Sequence, residues 1–567
     1  MNGMKLKSPV AALSLVLLAS TTALASPRQA ADMVFVHGNV IPMTGPEAKA
    51  AAVAVKDGKI LAIGSDTEIE KLKSKSTQVV DLAGRTMLPG FIDAHGHIAM
   101  VAQQADLAAL APPPVGGVTS IASLEDALRK YMATHPEGWI VGMGYDDAEL
   151  AEKRHPTRHE LDAVSTDRPI LIMHISGHLA AANTKALEMA GLLHPDKDPP
   201  AGVIRREADG KIASGVIEEG ALFQLYALIP QPTLERQLEL LAKAQQVYAS
   251  YGLTTAQDGA TMQAGWNLLK VAAERKALFL DVHALPLLNQ QWDGFDAIPF
   301  NAPYANHLRA AGVKIIADGS PQGRTAWLSH PYHLPLEGKS ADYAGYPQLT
   351  DEALRTMLAR ADEHDWQAYI HVNGDAAIQQ LIDAVRAVGV QTGKPMRRTI
   401  AIHSQTATLE ELKEMKALDI EPTFFASHTY YWGDWHREVT LGPTRADHIS
   451  PQRDAFDVGL RPSIHNDAPI VPPDMIRLIW SAVTRRTRSD DILGPEQRVT
   501  PYEALMEVTR NAAYELREEG AKGTLEPGKV ADFVILDGDP LGIQPESLLT
   551  LKVVATIKDG RYIFGHP

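Results

Sequence analysis

Two histidines one residue apart, His95-Gly96-His97, close the run Leu88-Pro89-Gly90-Phe91-Ile92-Asp93-Ala94. Side chains at i and i+2 of a strand share a face, so two imidazoles placed this way can bind one metal ion. Further candidate donors each lie in, or just after, an apolar run that suits a strand. Lys314 sits within Gly312-Val313-Lys314-Ile315-Ile316, and His371 follows Ala368-Tyr369-Ile370. His403 follows Thr399-Ile400-Ala401-Ile402, and Asp467 follows Pro462-Ser463-Ile464-His465-Asn466. In a barrel of parallel strands the C-terminal strand ends meet on one face, where such donors would converge. The chain has 21 histidines and no cysteine, which excludes disulfides, a thiolate nucleophile and a Cys-ligated metal. Nitrogen and oxygen donors without thiolate suit zinc, and less selectively manganese, iron or cobalt.

Each of these residues also has a plainer reading. Lys314 could be an ion-pair lysine with Asp318 as its partner, which would leave a mononuclear site. His371 and His403 could be hydrogen-bonded core histidines, and Asp467 could cap the loop that follows it. Glu218 and Glu219 could supply a bridging carboxylate in place of Lys314.

The elements that would have to position these donors follow from hydrophobic patterning. Apolar runs suited to buried parallel strands are Trp139–Met143, Pro169–Met173, Val282–Leu285, Val313–Ala317, Ala368–Val372, Thr399–Ile402 and Arg461–Ile464. Amphipathic stretches fall between several of them, most clearly Leu124–Met132, Leu234–Tyr248, Asp351–His364, Ala376–Val388 and Leu409–Leu418. Strand–helix alternation of this kind implies an α/β protein with a parallel sheet. Pattern alone does not separate a closed barrel from a doubly wound sheet. Both ends of the chain have a different texture, with short strands and tight turns. Met33–Val36, Ala51–Val55 and Ile60–Ile63, with Asp57-Gly58 as a hairpin turn, resemble Phe533–Leu536, Val553–Ile557 and Tyr562–Phe564 near the other end. A small β domain built from both termini is therefore expected, over 26–90 and 511–567, with the long middle inserted between them.

The 567 residues are 45% hydrophobic and 22% charged, ordinary for a large soluble protein. A formal charge of −15 argues against a nucleic-acid partner. Lys5 and Lys7, an apolar stretch from Val10 to Leu18 and the triplet Ala23-Leu24-Ala25 read as a cleavable signal peptide over 1–25. The apolar stretch is short for a membrane span. A periplasmic or secreted protein with no membrane span after cleavage is expected.

The order His-x-His, Lys, His, His, Asp resembles the binuclear branch of the amidohydrolase superfamily. The wider phrasing is similar to amidohydrolase family 3, the group that includes N-substituted formamide deformylases. The matching segments are Leu88–His97, Gly312–Ala326, Ile370–Ala377, Ile402–Gln405, His465–Pro469 and Lys522–Leu536, with Ser427–Asp434 also alike. The resemblance implies a (β/α)8 TIM-type barrel over 91–510 and a small composite β-sandwich from the termini. It implies two divalent metal ions, with His95 and His97 on the first and His371 and His403 on the second. Lys314, carboxylated by CO2, would bridge them. Asp467 would complete the first site, take a proton from a metal-bridged hydroxide and deliver it to the leaving group.

His178, in Ile172-Met173-His174-Ile175-Ser176-Gly177-His178, resembles a family segment near the pocket and would donate to the developing oxyanion. Asp318 and Arg324 flank a Gly-rich loop, and Trp432 lies in the aromatic run Tyr430-Tyr431-Trp432. These three are candidates for contact with a small-molecule substrate, although packing or a homodimer contact would also account for the aromatic run. The implied reaction is hydrolysis of an amide or N-acyl C–N bond. Ester or lactone hydrolysis at the same site is one rival, and a non-catalytic periplasmic binding or regulatory protein is another.

Overall fold

The computed structural model describes residues 29–567 apart from 148, 176–178, 200–201, 220, 337–338 and 397. The expected signal segment and His178 lie outside these residues. Alternation of side chains builds the central element. On the strand Gly312–Ile316, Val313 and Ile315 belong to the large apolar cluster shared with the surrounding helices, while Lys314 faces the opposite way. On Gln367–Val372 the residues Ala368, Ile370 and Val372 join that outer cluster. Tyr369 joins a separate inner cluster with Ile92, Ala94, Leu285, Ile400 and Ile402.

Eight strands repeat this scheme in parallel: β1 (Phe91–Ile92), β2 (Leu253–Thr261), β3 (Asp281–Pro286), β4 (Gly312–Ile316), β5 (Gln367–Val372), β6 (Thr399–His403), β7 (Ile420–Phe424) and β8 (Ser463–Ile464). A parallel bridge between Leu287 and Lys314 links β3 to β4. The two ends of the ladder also meet. The Asp467 amide donates to the His95 carbonyl at 3.2 Å, and the His97 amide to the Ala468 carbonyl at 2.7 Å.

The helices between strands form where the sequence places their caps. Thr408 and Glu411 make a reciprocal capping box at the start of Leu409–Ala417. Asp375–Thr392 buries Ala377, Ile378, Leu381, Ile382, Val385 and Val388 along one face and ends at Gly393, whose φ of 70° suits a residue without Cβ. Observed helices at Ile121–Thr134, Leu234–Ser250 and Asp351–Glu363 overlap the amphipathic stretches expected there. No helix among the described residues is long and apolar enough to cross a membrane.

Two strands of the ladder, β2 and β7, were not expected from sequence. Two runs that were expected as strands lie elsewhere: Ile140–Tyr145 and Ile170–His174 are parallel neighbours in a separate six-stranded sheet built from residues 108–219. Glu218 belongs to this sheet and pairs with Arg205 at 2.6 Å, which removes it as a bridging carboxylate. At the chain ends, Thr86–Pro89 pairs antiparallel with Phe533–Leu536 in a five-stranded sheet holding strands from both ends of the chain. Phe35, Val53 and Val55 from the neighbouring sheet pack with Phe533, Ile535 and Ile557 in one cluster.

Beneath the ladder a buried charge network ties the two parts together. The Lys522 ammonium donates to Asp281 on β3 at 2.5 Å and to Thr255 on β2 at 3.2 Å, and it pairs with Glu518 at 2.9 Å. Lys558, from the C-terminal sheet, reaches Asp281 at 3.1 Å and Asp532 at 3.3 Å. Burial opposes the charge on Lys522, but the carboxylates around it dominate and raise its pKa. Removing one partner of such a network strands the others without water, a cost of about 3–5 kcal/mol. Lys522→Met is therefore expected to lower the urea unfolding midpoint markedly, whereas an unchanged midpoint would show that the network contributes little.

Candidate metal centre

The C-terminal ends of β1, β4, β5, β6 and β8 bring five imidazoles, one amine and one carboxylate together. His95 is buried, and its Nδ1 lies 2.7 Å from Gln257 Oε1 on β2. Gln257 Nε2 donates to the Ala94 carbonyl at 2.8 Å, so its oxygen must face His95. The proton of neutral His95 therefore sits on Nδ1, and Nε2 presents a lone pair. That Nε2 is 3.0 Å from Lys314 Nζ and 3.5 Å from Asp467 Oδ1. His97 Nε2 is 3.1 Å from the same Asp467 oxygen.

The second pair is oriented in the same manner. His371 Nε2 lies 3.0 Å from both the Gly319 carbonyl and Asn373 Nδ2, and the tautomer that donates to that carbonyl leaves Nδ1 bare. His371 Nδ1 faces His403 Nε2 at 3.0 Å. Two zinc-bound nitrogens at tetrahedral angles stand about 3.3 Å apart, so the spacings within this cluster fit shared ions. His403 and Asp467 both carry positive φ, 71° and 53°. Such backbone costs about 1–3 kcal/mol for a residue with Cβ and tends to cluster at functional sites.

Burial sets the protonation. It drives His95 and His403 well below the ordinary imidazole range, His371 to about 4 and His465 to about 3. All four are neutral at pH 7 and able to donate a lone pair. Burial also brings Lys314 down to about 7, against the opposing pull of Asp467 and Glu515. For Asp467 burial acts upward, but the hydrogen bond from His97 opposes it, and the carboxyl lies well below the usual carboxylate range.

The plainer reading of Lys314 does not hold, because Asp318 is engaged elsewhere. Its carboxylate accepts from the amides of Trp327 at 3.0 Å and of Asn373 and Gly374 at 2.9 Å each. Asp318 thus pins the loop after β4 to the turn after β5, and burial raises its pKa to about 7 in spite of those bonds. Trp432 is half-buried, with its ring tilted at 4.5 Å from that of His428 and edge-on at 6.0 Å from that of Phe425, whose ring is 5.2 Å from His465. It is thereby joined to the centre through rings. Arg324 reaches the Pro335 carbonyl at 3.4 Å and lies 5.8 Å from the Trp435 ring, with no bond to the histidine cluster.

Two residues of the site escaped the sequence reading. His465 is fully buried, and neither ring nitrogen has a hydrogen-bond partner among the described residues. Its ring centroid is 5.2 Å from that of His95 and 5.0 Å from that of His403. Its spacing of two from Asp467 repeats that of His95 and His97, a signal that was available. Gln257 lies in Leu253–Thr261, a strand too polar to stand out.

Residues 78–564 match the model of the amidohydrolase family, and the chain belongs to that family. It is 26% identical over 558 residues to an N-substituted formamide deformylase of Arthrobacter pascens, covering 94% of this chain and 98% of the relative. It is 29% identical over 551 residues to YtcJ of Bacillus subtilis, named as an amidohydrolase, covering 93% and 98%. A crystal structure of an uncharacterised metal-dependent hydrolase from Pyrococcus horikoshii superposes with a TM-score of 0.73 at 25% identity, covering 91% of this chain and 99% of that one. The chain is thus a hydrolase of a metal-dependent family.

The orientation of His95 by Gln257 yields a measurable expectation. Hydrogen bonds that fix a ligating histidine typically carry 10- to 100-fold in metal affinity. Gln257→Leu should weaken zinc binding by about 10–100-fold in a chelator competition assay. Unchanged affinity would mean that His95 needs no such support.

Proposed function

We propose that this protein is an exported amidohydrolase that cleaves the C–N bond of an amide or N-acyl small molecule with two zinc ions. The observation that supports this best is the convergence of His95, His97, Lys314, His371, His403 and Asp467 from five strand ends. The parallel strands are read as a closed (β/α)8 barrel, and the two terminal sheets as a small β-sandwich. His95, His97 and Asp467 would hold one ion and His371 and His403 the other. Lys314 would lie between them as a carbamate, formed when its neutral amine adds CO2 and releases one proton. A pKa of about 7 keeps a large share of that amine uncharged at neutral pH. Bound there, the ions supply Lewis acidity, polarising a scissile carbonyl and acidifying water.

The chain's own residues do the rest. Asp467 takes the proton of the attacking water and passes it to the leaving nitrogen. His178 donates to the developing oxyanion, and Trp432 offers an apolar wall to the substrate, with Asp318 and Arg324 holding the loop beside it. Preference for C–N bonds rests on the deformylase name of the Arthrobacter relative and on the amidohydrolase name of YtcJ.

The test is turnover of N-substituted formamides, other N-acyl amides, esters and lactones by zinc-loaded protein. Amides should be the preferred substrates. Asp467→Asn should stay folded, keep at least one ion and lose kcat by at least about 10²-fold. Preference for esters or lactones would replace the C–N assignment, and binding without turnover would remove the enzyme reading. A folded, metal-loaded Asp467→Asn with wild-type kcat would remove Asp467 from the mechanism.

Export rests on Lys5, Lys7, the apolar stretch and Ala23-Leu24-Ala25. Protein isolated from its native host should begin near Ser26 by intact-mass analysis. Retention of Met1 or Asn2 would contradict export.

A further inference from the structure

A second cluster of metal-ligating side chains lies on the six-stranded sheet, on none of the strands that carry His95, Lys314, His371, His403 or Asp467. It begins where two parallel strands end side by side. Tyr145 closes Ile140–Tyr145 and His174 closes Ile170–His174, and the two residues are register partners. The register slips between Met173 and His174. A slip of this kind re-aims the side chain that follows it and is common beside functional sites.

His174 Nε2 consequently meets two consecutive carboxylates. It lies 3.0 Å from Asp147 Oδ1 and 3.8 Å from Asp146 Oδ1. Ligand atoms of Asp146, Asp147 and His174 all fall within 4.8 Å of one another. A fourth donor approaches from the following loop, with His155 Nε2 3.7 Å from Asp147 Oδ2. The ring of His155 is 5.7 Å from that of His174.

The surroundings favour this set as ligands. The Tyr145 hydroxyl is 3.1 Å from His155 Nδ1 and can accept its proton, which leaves the Nε2 lone pair toward Asp147. Burial lowers the pKa of His155, so this imidazole is neutral at pH 7. The positive charge of Arg205 reaches Tyr145 and His155, but that guanidinium is paired with Glu218 at 2.6 Å. Asp146 and Asp147 are consecutive carboxylates that repel each other where both approach His174. A divalent ion would neutralise both at once, and a donor set of two imidazoles and two carboxylates suits zinc at about 2.0–2.2 Å from each ligand.

We propose that Asp146, Asp147, His155 and His174 form a divalent-cation site of the zinc class, separate from the site at the strand ends of the ladder. Small rotamer changes would draw the four donors to the tetrahedral spacing of about 3.3 Å. The inference goes beyond the proposed hydrolytic reaction and does not depend on it.

The test uses the full chain, stripped with a chelator, dialysed against zinc and assayed for zinc per chain. Asp147→Asn and His174→Asn should each hold one equivalent fewer than wild type while hydrolysing substrate at the strand-end site. His95→Ala, which acts on the other site, should retain the zinc that Asp147→Asn loses. Equal zinc in wild type and both cluster variants overturns the proposal and shows an ion-pair cluster only. A readout free of substitutions is protection of His155 and His174 from diethyl pyrocarbonate, followed by peptide mass spectrometry. Zinc should slow modification of both histidines in wild type. Equal modification with and without zinc overturns the proposal even if a variant fails to fold.

Discussion

Neutral imidazoles packed nitrogen to nitrogen, with a lysine and an ionised carboxylate among them, set the constraint that the rest of this structure serves. His371 Nδ1 and His403 Nε2 stand 3.0 Å apart, and His95 Nε2 stands 3.0 Å from Lys314 Nζ. Burial keeps these imidazoles neutral and lowers the pKa of the Lys314 amine, so each can offer a lone pair to a metal ion. The outward-facing nitrogens are fixed by Gln257 and by the Gly319 carbonyl, which determines where the bare ones point.

Holding such a cluster together requires rigidity from several directions. Parallel strands supply it, because their C-terminal ends release the chain at one level while outer-face residues such as Val313, Ile370 and Ala401 anchor each strand to the helices. At β6 the parity of the strand would carry His403 to the side of Ala401, yet its ring lies 4.5 Å from that of His371. The left-handed backbone of His403 and Ser404 marks where the chain departs from that parity. At the far end of the ladder, Lys522 and Lys558 bind β2 and β3 to the terminal sheet. Asp318 performs the corresponding task at the near end, spending its carboxylate on three loop amides.

Much of this was legible in the sequence, for a physical reason. A histidine or lysine at the end of a buried strand interrupts an otherwise apolar run, so His371, His403 and Lys314 stand out against their neighbours. What was illegible lacked that contrast. The strand β2 reads Leu-Thr-Thr-Ala-Gln-Asp-Gly-Ala-Thr because its inner face serves polar partners, and Gln257 disappears into it. The strand β7 contains Glu421 and Pro422, both unfavourable in a ladder by propensity. Glu421 is accommodated because its carboxylate accepts the Arg461 amide at 2.7 Å. Apolar runs at 140–145 and 170–174 were recognisable as strands, but periodicity carries no information about which sheet a strand joins. The alternation of helices and strands likewise left barrel and open sheet equivalent, and it took the contacts of Asp467 and His97 with the opposite end of the ladder to bring its two ends together.

The measurement that bears most directly on the centre is anomalous diffraction at the zinc edge from zinc-soaked crystals of the wild-type protein. Two peaks are expected at the strand ends, one against His95, His97 and Asp467 and one against His371 and His403, with Lys314 between them. A single peak with none beside His371 and His403, or no peak at the strand ends, would contradict a binuclear centre built from these residues.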